Sequence, residues 1–183
     1  MKEQSENRRI LMSKRLMKEA LLELLAQTEL SAISVTAVCK QADVNRSTFY
    51  AYYTNPSDLL REIEQDVLDR IPSPPLPVNR HGEESLLQTT TAFFDYVKEN
   101  ERVFRVLFSE SVNAGFSSRM VELICAQKIL GVKSEDELSL RFLMLYIANG
   151  TVGMLREWID ADFPISSREI ANKMYYLSRK ITE

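Results

Sequence analysis

The side chains best suited to chemistry in this chain are the hydrogen-bond donors in the stretch NRSTFYAYY, which begins at Asn45. An arginine fork can meet the O6 and N7 atoms of guanine together, and hydroxyl groups donate to phosphate oxygens. On a helix of roughly two turns, such a run presents many donors over a short length. A short polar helix braced against another helix fits the major groove of DNA. The spacing therefore favours recognition of a duplex.

By comparison, the sequence has few residues that are suited to catalysis or metal binding. The single histidine is His81, and the two cysteines, Cys39 and Cys125, lack metal-ligand spacing and cannot form a disulfide framework. No poised acid, base or nucleophile is recognisable, and the nearby carboxylates Asp160 and Asp162 are typical of a solvated helix end. We therefore expect no enzyme activity, no cofactor and no metal.

The elements that must position these donors are two short helices joined by a tight turn. Ser34 is suited to cap the first helix, because its hydroxyl can accept an unpaired backbone N–H. Val38 and Cys39 then share an apolar face. Asp43 can adopt the left-handed conformation of a turn, and Asn45 is a second N-cap. The pattern predicts a helix-turn-helix.

The flanking sequence predicts two more helices and a domain boundary. A first helix is expected over about 6–28, with its inward stripe at Leu16, Ala20, Leu21, Leu24 and Leu25. A fourth helix opens at Asn55-Pro56 and reaches Ile71. The proline-rich stretch that follows cannot be helical and is predicted to be a stiff linker. The predicted division is a DNA-binding domain at 1–71, a linker at 72–81 and a second domain at 82–183.

The second domain is predicted to be entirely helical. Helical spacing of apolar residues indicates helices at 83–100, 101–111, 117–130, 134–161 and 166–181, with Ser134 and Ser166 or Ser167 as N-caps. No segment of any length alternates with the period of a strand. The predicted fold class is therefore all-α.

The stretch SVTAVCKQADVNRSTFYAYYTNPSDLL, residues 34–60, resembles the helix-turn-helix of TetR-family transcriptional regulators. Further on, FFDYVKENERVFRVLF and IANGTVGMLREWI resemble the C-terminal domain of one TetR branch. The resemblance implies an N-terminal three-helix helix-turn-helix DNA-binding domain joined to a C-terminal helical dimerisation and ligand domain. It implies a homodimeric DNA-binding regulator of transcription rather than an enzyme.

The same resemblance implies roles for individual residues near the recognition helix. Arg46 and Ser47 fall where the family contacts base edges, and hydroxyl groups after them fall where it contacts phosphate. The implied DNA-binding set is Ser34, Thr36, Asn45, Arg46, Ser47, Thr48, Tyr50 and Tyr52. Phe49 and Tyr53 are better interpreted as core, and aromatic packing between helices is an alternative for the other tyrosines.

Two positions depart from the family pattern. Asp43 stands where the family usually has glycine, so the turn should form at some cost in strain. Pro56 stands where the family usually has a lysine that contacts phosphate. One charge-assisted contact is therefore absent, and more of the affinity for DNA should depend on the N-terminal arm, the basic stretch at the start of the chain.

The net charge of −3 is distributed unevenly along the chain. Residues 1–50 have 8 Lys and Arg against 6 Asp and Glu, a net of +2, and the remainder has 15 against 20, a net of −5. The basic residues that could follow a phosphate backbone are Arg8, Arg9, Lys14, Arg15 and Lys18. A solvated helix face is the alternative. No apolar run approaches a membrane span and no signal peptide is recognisable, so a cytoplasmic protein without membrane contact is expected.

The second domain offers a possible pocket and a possible dimer interface. The predicted pocket residues are Phe93, Phe94, Phe104, Phe108, Phe142 and Tyr146, with plain core as the alternative. The predicted interface residues are Ile147, Gly150, Met154 and Trp158, with packing inside one chain as the alternative.

Three functions compete at this stage. The first is a dimeric repressor that occupies a palindromic double-stranded operator and is released by a small-molecule effector. The second is a similar regulator switched by a protein partner instead of a small ligand. The third is an enzyme, which would need a poised acid, base or nucleophile that the sequence does not offer. A purely structural helical protein is a further alternative, but it leaves the polar recognition segment unexplained.

Overall fold

The fold is all-α, as the sequence predicted. The computed structural model describes residues 2–72, 82–112, 115–126 and 136–182, and within these ranges it contains nine α-helices, two short 3-10 turns and no strand. The chain divides into two compact units: Met1–Asp69 with Ser109–Asn113, and Arg70–Phe108 with Ala114–Glu183. Residues 73–81, most of the predicted linker, lie outside the described ranges.

The first unit contains four helices whose lengths differ slightly from expectation. They are α1 (Lys2–Leu25), α2 (Val35–Ala42), α3 (Arg46–Tyr50) and α4 (Pro56–Asp69), with a 3-10 turn at Leu30–Ala32. The α1 helix ends before Thr28, because the N–H groups of Gln27 and Thr28 both donate to the carbonyl of Leu24 and close a turn. The α4 helix ends before Ile71, and the α3 helix is shorter than two turns.

The core of the first unit lies where α1 packs against α2 and α4. Met17 and Leu22 are buried there, whereas Leu16 and Leu24, which the predicted stripe included, are only half-buried. The stripe is therefore rotated by about one position around the helix. The other large buried side chains of this core are Leu21, Leu25, Val38, Phe49, Tyr53, Leu59, Leu60, Ile63 and Val67.

The turn between α2 and α3 is closed by the hydrogen bonds of a Schellman motif. Ser34 caps α2, since its hydroxyl accepts a hydrogen bond from the Ala37 N–H at 3.1 Å. Asp43 is left-handed, with φ 51° and ψ 48°. The N–H of Val44 donates to the carbonyl of Cys39 at 3.0 Å, and the N–H of Asp43 to that of Lys40 at 3.4 Å. Both predictions, the Ser34 cap and the left-handed Asp43, are confirmed.

Four charged side chains join α1 to α4, and we call them the α1–α4 ion cluster: Lys14, Lys18, Glu62 and Asp66. The Lys14 Nζ lies 3.1 Å from the Glu62 carboxylate. The Lys18 Nζ lies 2.7 Å from Glu62 and 2.6 Å from Asp66. All four side chains are partly buried, with Lys18 the most enclosed at 19% exposure. The cluster therefore holds two helices that are distant in sequence.

The pKa values in the cluster follow from these contacts. Burial opposes ionisation of Glu62, but hydrogen bonds from Lys18 and Lys14 outweigh it, so the pKa of Glu62 lies below its ordinary value. Burial likewise opposes the charge of Lys18, yet Asp66 and Glu62 raise its pKa. Burial and then the nearby Glu62 charge raise the pKa of the Tyr53 hydroxyl, which has no hydrogen bond of good geometry within the described residues.

The second unit contains five helices around an aromatic core. They are α5 (Gly82–Glu99), α6 (Glu101–Phe108), α7 (Gly115–Ala126), α8 (Glu137–Asp160) and α9 (Ser167–Thr182). The α5 helix packs on α9, and α6 and α7 pack on α8. Phe94 meets the Trp158 ring edge-on at 5.3 Å between centroids, and Phe104 meets Phe116 at 6.1 Å.

The caps of the last two helices differ in part from expectation. Ser134, the predicted cap of α8, lies outside the described residues, and the helix is capped by Asp136, which accepts from the Ser139 N–H at 2.8 Å. The α9 helix begins with a capping box, because Ser166 and Glu169 exchange hydrogen bonds. Of the two predicted alternatives, Ser166 is therefore the cap.

The turn after α8 is held by Arg105 from α6. Asp162 and Phe163 both have positive φ, at 59° and 56°, which is costly for residues other than glycine. The Arg105 guanidinium donates to the carbonyl of Ile159 at 2.8 Å and to the carboxylate of Asp162. It also lies 5.1 Å from the centroid of the Phe163 ring. These contacts offset the strain of the turn.

The expectation that no segment resembles a membrane span needs correction for one helix. Within the described residues, α8 is long and apolar enough to cross a membrane, with a window of mean hydropathy 1.4 of which 22% is buried. The reason is that a long helix with few charges turns one apolar face inward and another outward.

The left-handed residue in the turn gives a first prediction. Replacing Asp43 by glycine should raise the free energy of unfolding by up to about 1 kcal/mol, because glycine adopts this conformation without strain. Replacing it by valine should lower that free energy by about 1–3 kcal/mol, because a β-branched side chain clashes there. Urea unfolding of both variants beside the parent chain measures the difference, and equal midpoints for glycine and valine would contradict it.

The ion cluster gives a second prediction, on acid stability. Because the folded-state pKa of Glu62 is lowered, its contribution is present above the ordinary value of 4.5 and is lost as the pH falls through the folded value. Glu62→Gln should therefore cost about 1 kcal/mol at neutral pH and little in acid. Urea unfolding at neutral pH and below pH 4.5 tests this.

A matched control is Glu19→Gln, which removes a carboxylate from an exposed pair with Arg15 on α1. Such an exposed pair contributes little, so the control should follow the parent at both pH values. A Glu62→Gln variant with an undiminished stability loss in acid would refute the assignment.

Candidate nucleic-acid interface

The recognition helix is attached to the protein by its inner aromatic side chains. Phe49 is fully buried and Tyr53 is 5% exposed. Their rings lie 5.6 Å apart between centroids, and the Tyr50 ring meets Phe49 edge-on at 5.8 Å. The interpretation of Phe49 and Tyr53 as core agrees with this burial. Since α3 comprises 5 residues, these anchors determine where its outer face points.

The predicted DNA-binding side chains lie at the surface of the first unit. Tyr50 is 52% exposed and Tyr52 is 36% exposed, so neither packs inside the protein. Thr48 alone among the predicted set is half-buried. The exposed members of the set are Ser34, Thr36, Asn45, Arg46, Ser47, Tyr50 and Tyr52.

Asn45 occupies the N-cap position of α3 in a way that differs from expectation. Its side chain makes no capping hydrogen bond. Instead its backbone carbonyl accepts from the N–H groups of Thr48 at 2.9 Å and Phe49 at 3.2 Å. The carbonyl bonds begin the helix, and the exposed amide group remains at the surface.

Arg46 and Tyr50 form a pair on the outer face of α3. The guanidinium donates to the Tyr50 hydroxyl at 3.5 Å and lies 5.8 Å from the centroid of the ring. The hydrogen bond to Tyr50 raises the pKa of Arg46 above its already high ordinary value. The arginine is thus charged at any relevant pH and is held near the first turn of the helix.

The start of α4 is fixed by reciprocal capping just after the recognition segment. The Asn55 side-chain oxygen accepts from the Asp58 N–H at 3.0 Å, which confirms the predicted cap. The Asp58 carboxylate in turn accepts from the N–H of Thr54 at 3.1 Å. Pro56 is the first helical residue, as predicted.

The basic residues predicted to follow the phosphate backbone need a correction. Lys14 and Lys18 are bound in the α1–α4 ion cluster, and Arg15 faces Glu19 at 3.5 Å. The two lysines are paired because α4 packs on the same face of α1, whereas the Arg15 pair is an exposed contact within α1 itself. Arg8 and Arg9 are exposed and have no ion pair among the described residues. The sequence could not reveal this difference, because it depends on carboxylates from α4.

The second unit contains an apolar cavity of about 120 Å³. Its lining includes Leu86, Thr90, Phe93, Met120, Leu123, Met144, Ile147, Thr151 and Met174, and carries no charged side chain among the described residues. Of the predicted pocket residues, Phe93 alone lines it. Phe94, Phe104 and Phe108 are buried in the aromatic core instead. Much of the wall is formed by methionine and leucine side chains, whose helical spacing in the sequence is the same as that of ordinary core residues.

Phe142 and Tyr146, also predicted for the pocket, belong to an outward apolar surface on α8 and α9. They are 62% and 64% exposed, because they lie on the face of α8 opposite its buried residues. We call this surface the α8–α9 face, and its exposed apolar members are Leu138, Phe142, Leu145, Tyr146, Tyr176 and Leu177.

The predicted interface residues are divided by the structure. Gly150 is exposed on α8, and an added Cβ there would meet nothing within 4 Å. Ile147 and Met154 are half-buried and border a groove beside Gly150. Trp158 is a wrong assignment: it is 2% exposed, and its indole N–H donates to the carbonyl of Ile165 at 2.9 Å. Its ring completes the aromatic core.

The positions of the metal-ligating residue types and of Cys39 decide what chemistry they can take part in. Within the described part of the chain, no group of three or more His, Cys, Asp or Glu could hold a metal ion. Cys39 is buried, as predicted, and burial raises the pKa of its thiol. Cys39 therefore behaves as a small core residue.

The comparisons with known proteins agree with this architecture. Residues 84–180 match the TetR-type family model described as a transcriptional regulator C-terminal region. No curated protein matches the sequence.

Solved structures of TetR-family regulators share the fold. A TetR transcriptional regulator from Streptococcus agalactiae superposes with a TM-score of 0.73 at 18% identity, covering 96% of this chain and 98% of the other. The dihydroxyacetone kinase operon activator DhaS gives 0.62 at 18%, covering 94% and 97%. NalD, the secondary repressor of the MexAB-OprM multidrug efflux pump in Pseudomonas aeruginosa, gives 0.63 at 17%, covering 92% and 95%. The chain belongs to the TetR family of transcriptional regulators.

Proposed function

We propose that this chain is a dimeric, cytoplasmic, sequence-specific DNA-binding repressor. The observation that carries the proposal is the orientation of α3: Phe49 faces the core while Arg46, Tyr50 and their neighbours face solvent. If the polar side chains of α3 only helped to pack the helix against the protein, they would face inward. An exposed run of donors on a rigidly anchored helix is the arrangement that major-groove recognition requires.

Each exposed side chain has a role in this proposal. Arg46 and Ser47 read base edges, and Arg46 is suited to guanine through its fork. Tyr50 and Tyr52, with Thr48 at the margin, donate their hydroxyls to phosphates, and Ser34 and Thr36 do so from the start of α2. Asn45 lies beside them at the helix start, and Arg8 and Arg9, in the N-terminal part of α1, supply positive charge for the phosphate backbone.

The α8–α9 face is proposed as the surface that binds a second copy of the chain. Its exposed aromatic and aliphatic side chains would form a large apolar patch on a monomer. A two-fold arrangement of α8 and α9 from both copies would make a four-helix bundle, and Gly150 and Gly153 would allow close approach. Two recognition helices would then read half-sites about one helical turn apart, or a multiple, on a palindromic operator.

The cavity in the second unit is proposed as the effector site. Its apolar wall and lack of charged lining residues within the described ranges fit a small uncharged molecule with one or two polar groups. Repression by occupying an operator needs no surface beyond those named here. Among proteins of similar fold, NalD is a repressor and DhaS is an activator, so the fold serves both repression and activation.

An unbiased selection of bound duplexes from a random pool tests the proposal directly. We expect a palindromic consensus that competes for the protein better than scrambled duplexes. Indifference to every duplex at low salt would refute the proposal. Thermal-shift screening tests the effector: no stabilising compound together with a co-purified protein would favour the alternative of a protein-switched regulator.

Arg46 gives a prediction on base specificity. Arg46→Ala should cost about 1–3 kcal/mol of binding and relax the preference at one base pair per half-site. Arg46→Lys is the matched control, since it keeps the charge but loses the planar fork. It should retain the salt dependence of binding and still lose the preference. Quantitative gel shifts with single-base operator variants measure both, and an unchanged preference profile would exclude a base contact.

The α8–α9 face gives a prediction on assembly. Phe142→Glu together with Tyr146→Glu should yield monomers, because charges would replace exposed aromatic rings at the bundle seam. Phe142→Leu, which keeps an apolar side chain, should remain dimeric. Size-exclusion chromatography with light scattering reports the mass of each. A parent chain that is already monomeric at roughly micromolar concentration would refute the dimer.

A further inference from the structure

We infer that Lys14 and Glu62 are positioning residues for the Tyr52 hydroxyl at the DNA interface. The inference rests on the proposed function and extends it to two side chains outside the predicted recognition set. Neither residue needs to touch DNA in this role. Their task is to hold the Tyr52 ring, and so its hydroxyl, in one place.

The first observation is that the Lys14 ammonium lies at the same distance from two tyrosine rings that are in contact with each other. The Nζ atom lies 5.4 Å from the centroid of Tyr52 and 5.4 Å from that of Tyr53. These rings meet edge-on at 6.4 Å between centroids. A cation over ring faces at this range is attracted by their quadrupoles. Lys14 therefore connects the buried Tyr53 to the exposed Tyr52.

The second observation is that Glu62 fixes the ammonium in that position. The Glu62 oxygens accept from the Lys14 Nζ at 3.3 and 3.1 Å, and one of them also faces the Lys18 Nζ at 2.7 Å. Lysine has a long stem with many rotamers, and a single cation–π contact would not restrict it. The carboxylate supplies the restriction, because it is itself held by α4 and Lys18.

The third observation is that the protein core covers Tyr52 only in part. It lies after the last residue of α3, and its N–H donates to the carbonyl of Phe49 at 3.0 Å in a final turn. The residue as a whole is 36% exposed, so the core does not fully surround it. A donor that must meet a phosphate gains affinity when it is ordered before binding. Lys14 is the side chain placed to order it.

A direct phosphate contact by Lys14 is the rival explanation. The Lys14 side chain is 28% exposed, and a phosphate would have to compete with the Glu62 carboxylate, which lies 3.1 Å from the ammonium. The ion cluster contains two cations and two anions, so its net charge gives no attraction for a polyanion. The geometry therefore favours support of Tyr52 over direct contact.

A double-mutant cycle on operator affinity separates the two roles. The variants are Lys14→Met, Tyr52→Phe and the pair combined, each measured against the selected operator over a range of salt. Lys14→Met and Tyr52→Phe should each weaken binding about fivefold, the scale of one hydrogen bond. The combined variant should bind as Tyr52→Phe alone, because Lys14 acts through the hydroxyl. Lys14→Met should keep the parent salt slope.

Three further variants sharpen the result. Glu62→Gln should weaken operator binding as Lys14→Met does, and Lys14→Arg should stay within about twofold of the parent, because it keeps a cation over the rings. Arg61→Met is the matched control, since it removes a cation from the exposed surface of α4, where the Arg61 side chain is 70% exposed and pairs with Asp58 at 3.6 Å. The control should leave affinity within about twofold.

The outcomes are distinct. Losses that multiply in the combined variant, with a salt slope reduced by about 0.9, would show that Lys14 contacts phosphate and would overturn the inference. Multiplying losses with an unchanged slope and a lower melting temperature would show a merely structural role and would also overturn it. If the parent chain selects no operator at all, the proposed function itself falls.

Discussion

The packing of Phe49 into the first unit is the contact on which DNA recognition depends. Isolated helices shorter than about 12 residues are marginal in water, because nucleation fixes several residues for one hydrogen bond. The α3 helix has 5 residues and could not persist alone. Its conformation is imposed by the buried Phe49 and Tyr53 behind it, by the Asp43 turn before it and by the capped start of α4 after it. The recognition surface is therefore a product of tertiary structure.

The α8 helix shows the opposite situation, a long helix with two apolar faces. Leu155 and Trp158 face the aromatic core, whereas Phe142 and Tyr146 face outward. In such a helix one apolar face packs inside the protein. The other apolar face is exposed to water, which is typical of a surface that binds another protein. Composition alone makes α8 resemble a membrane span. The buried residues of α8 lie between Ala148 and Ile159. Because α8 already packs against α6 and α7, this part of the helix favours a helical bundle over a membrane span.

Features encoded by neighbouring residues could be predicted from the sequence, and features made by distant ones could not. The Ser34 cap, the left-handed Asp43 and the Asn55 cap depend on residues within one turn, so the sequence pattern contains them. The division of roles among the α1 lysines depends on Glu62, 48 residues from Lys14. The cavity wall likewise combines α5, α7, α8 and α9. Helical spacing marks these residues as apolar but cannot tell a filled core from a cavity.

In the first unit, lysine side chains are paired with carboxylates, and this pairing affects how the protein would discriminate among DNA sequences. Lys14 and Lys18 are already paired with carboxylates of α4, and the resemblance to the TetR family implies that Pro56 stands where a lysine is usual. Sequence-independent affinity comes mainly from cations that neutralise phosphates. A chain that withdraws cations from this role weakens binding to all duplexes alike. At the proposed interface, the affinity that remains would come in larger part from oriented donors such as Arg46 and Tyr52, which depend on geometry. Such an interface sacrifices general attraction and retains the contacts that distinguish an operator from other DNA.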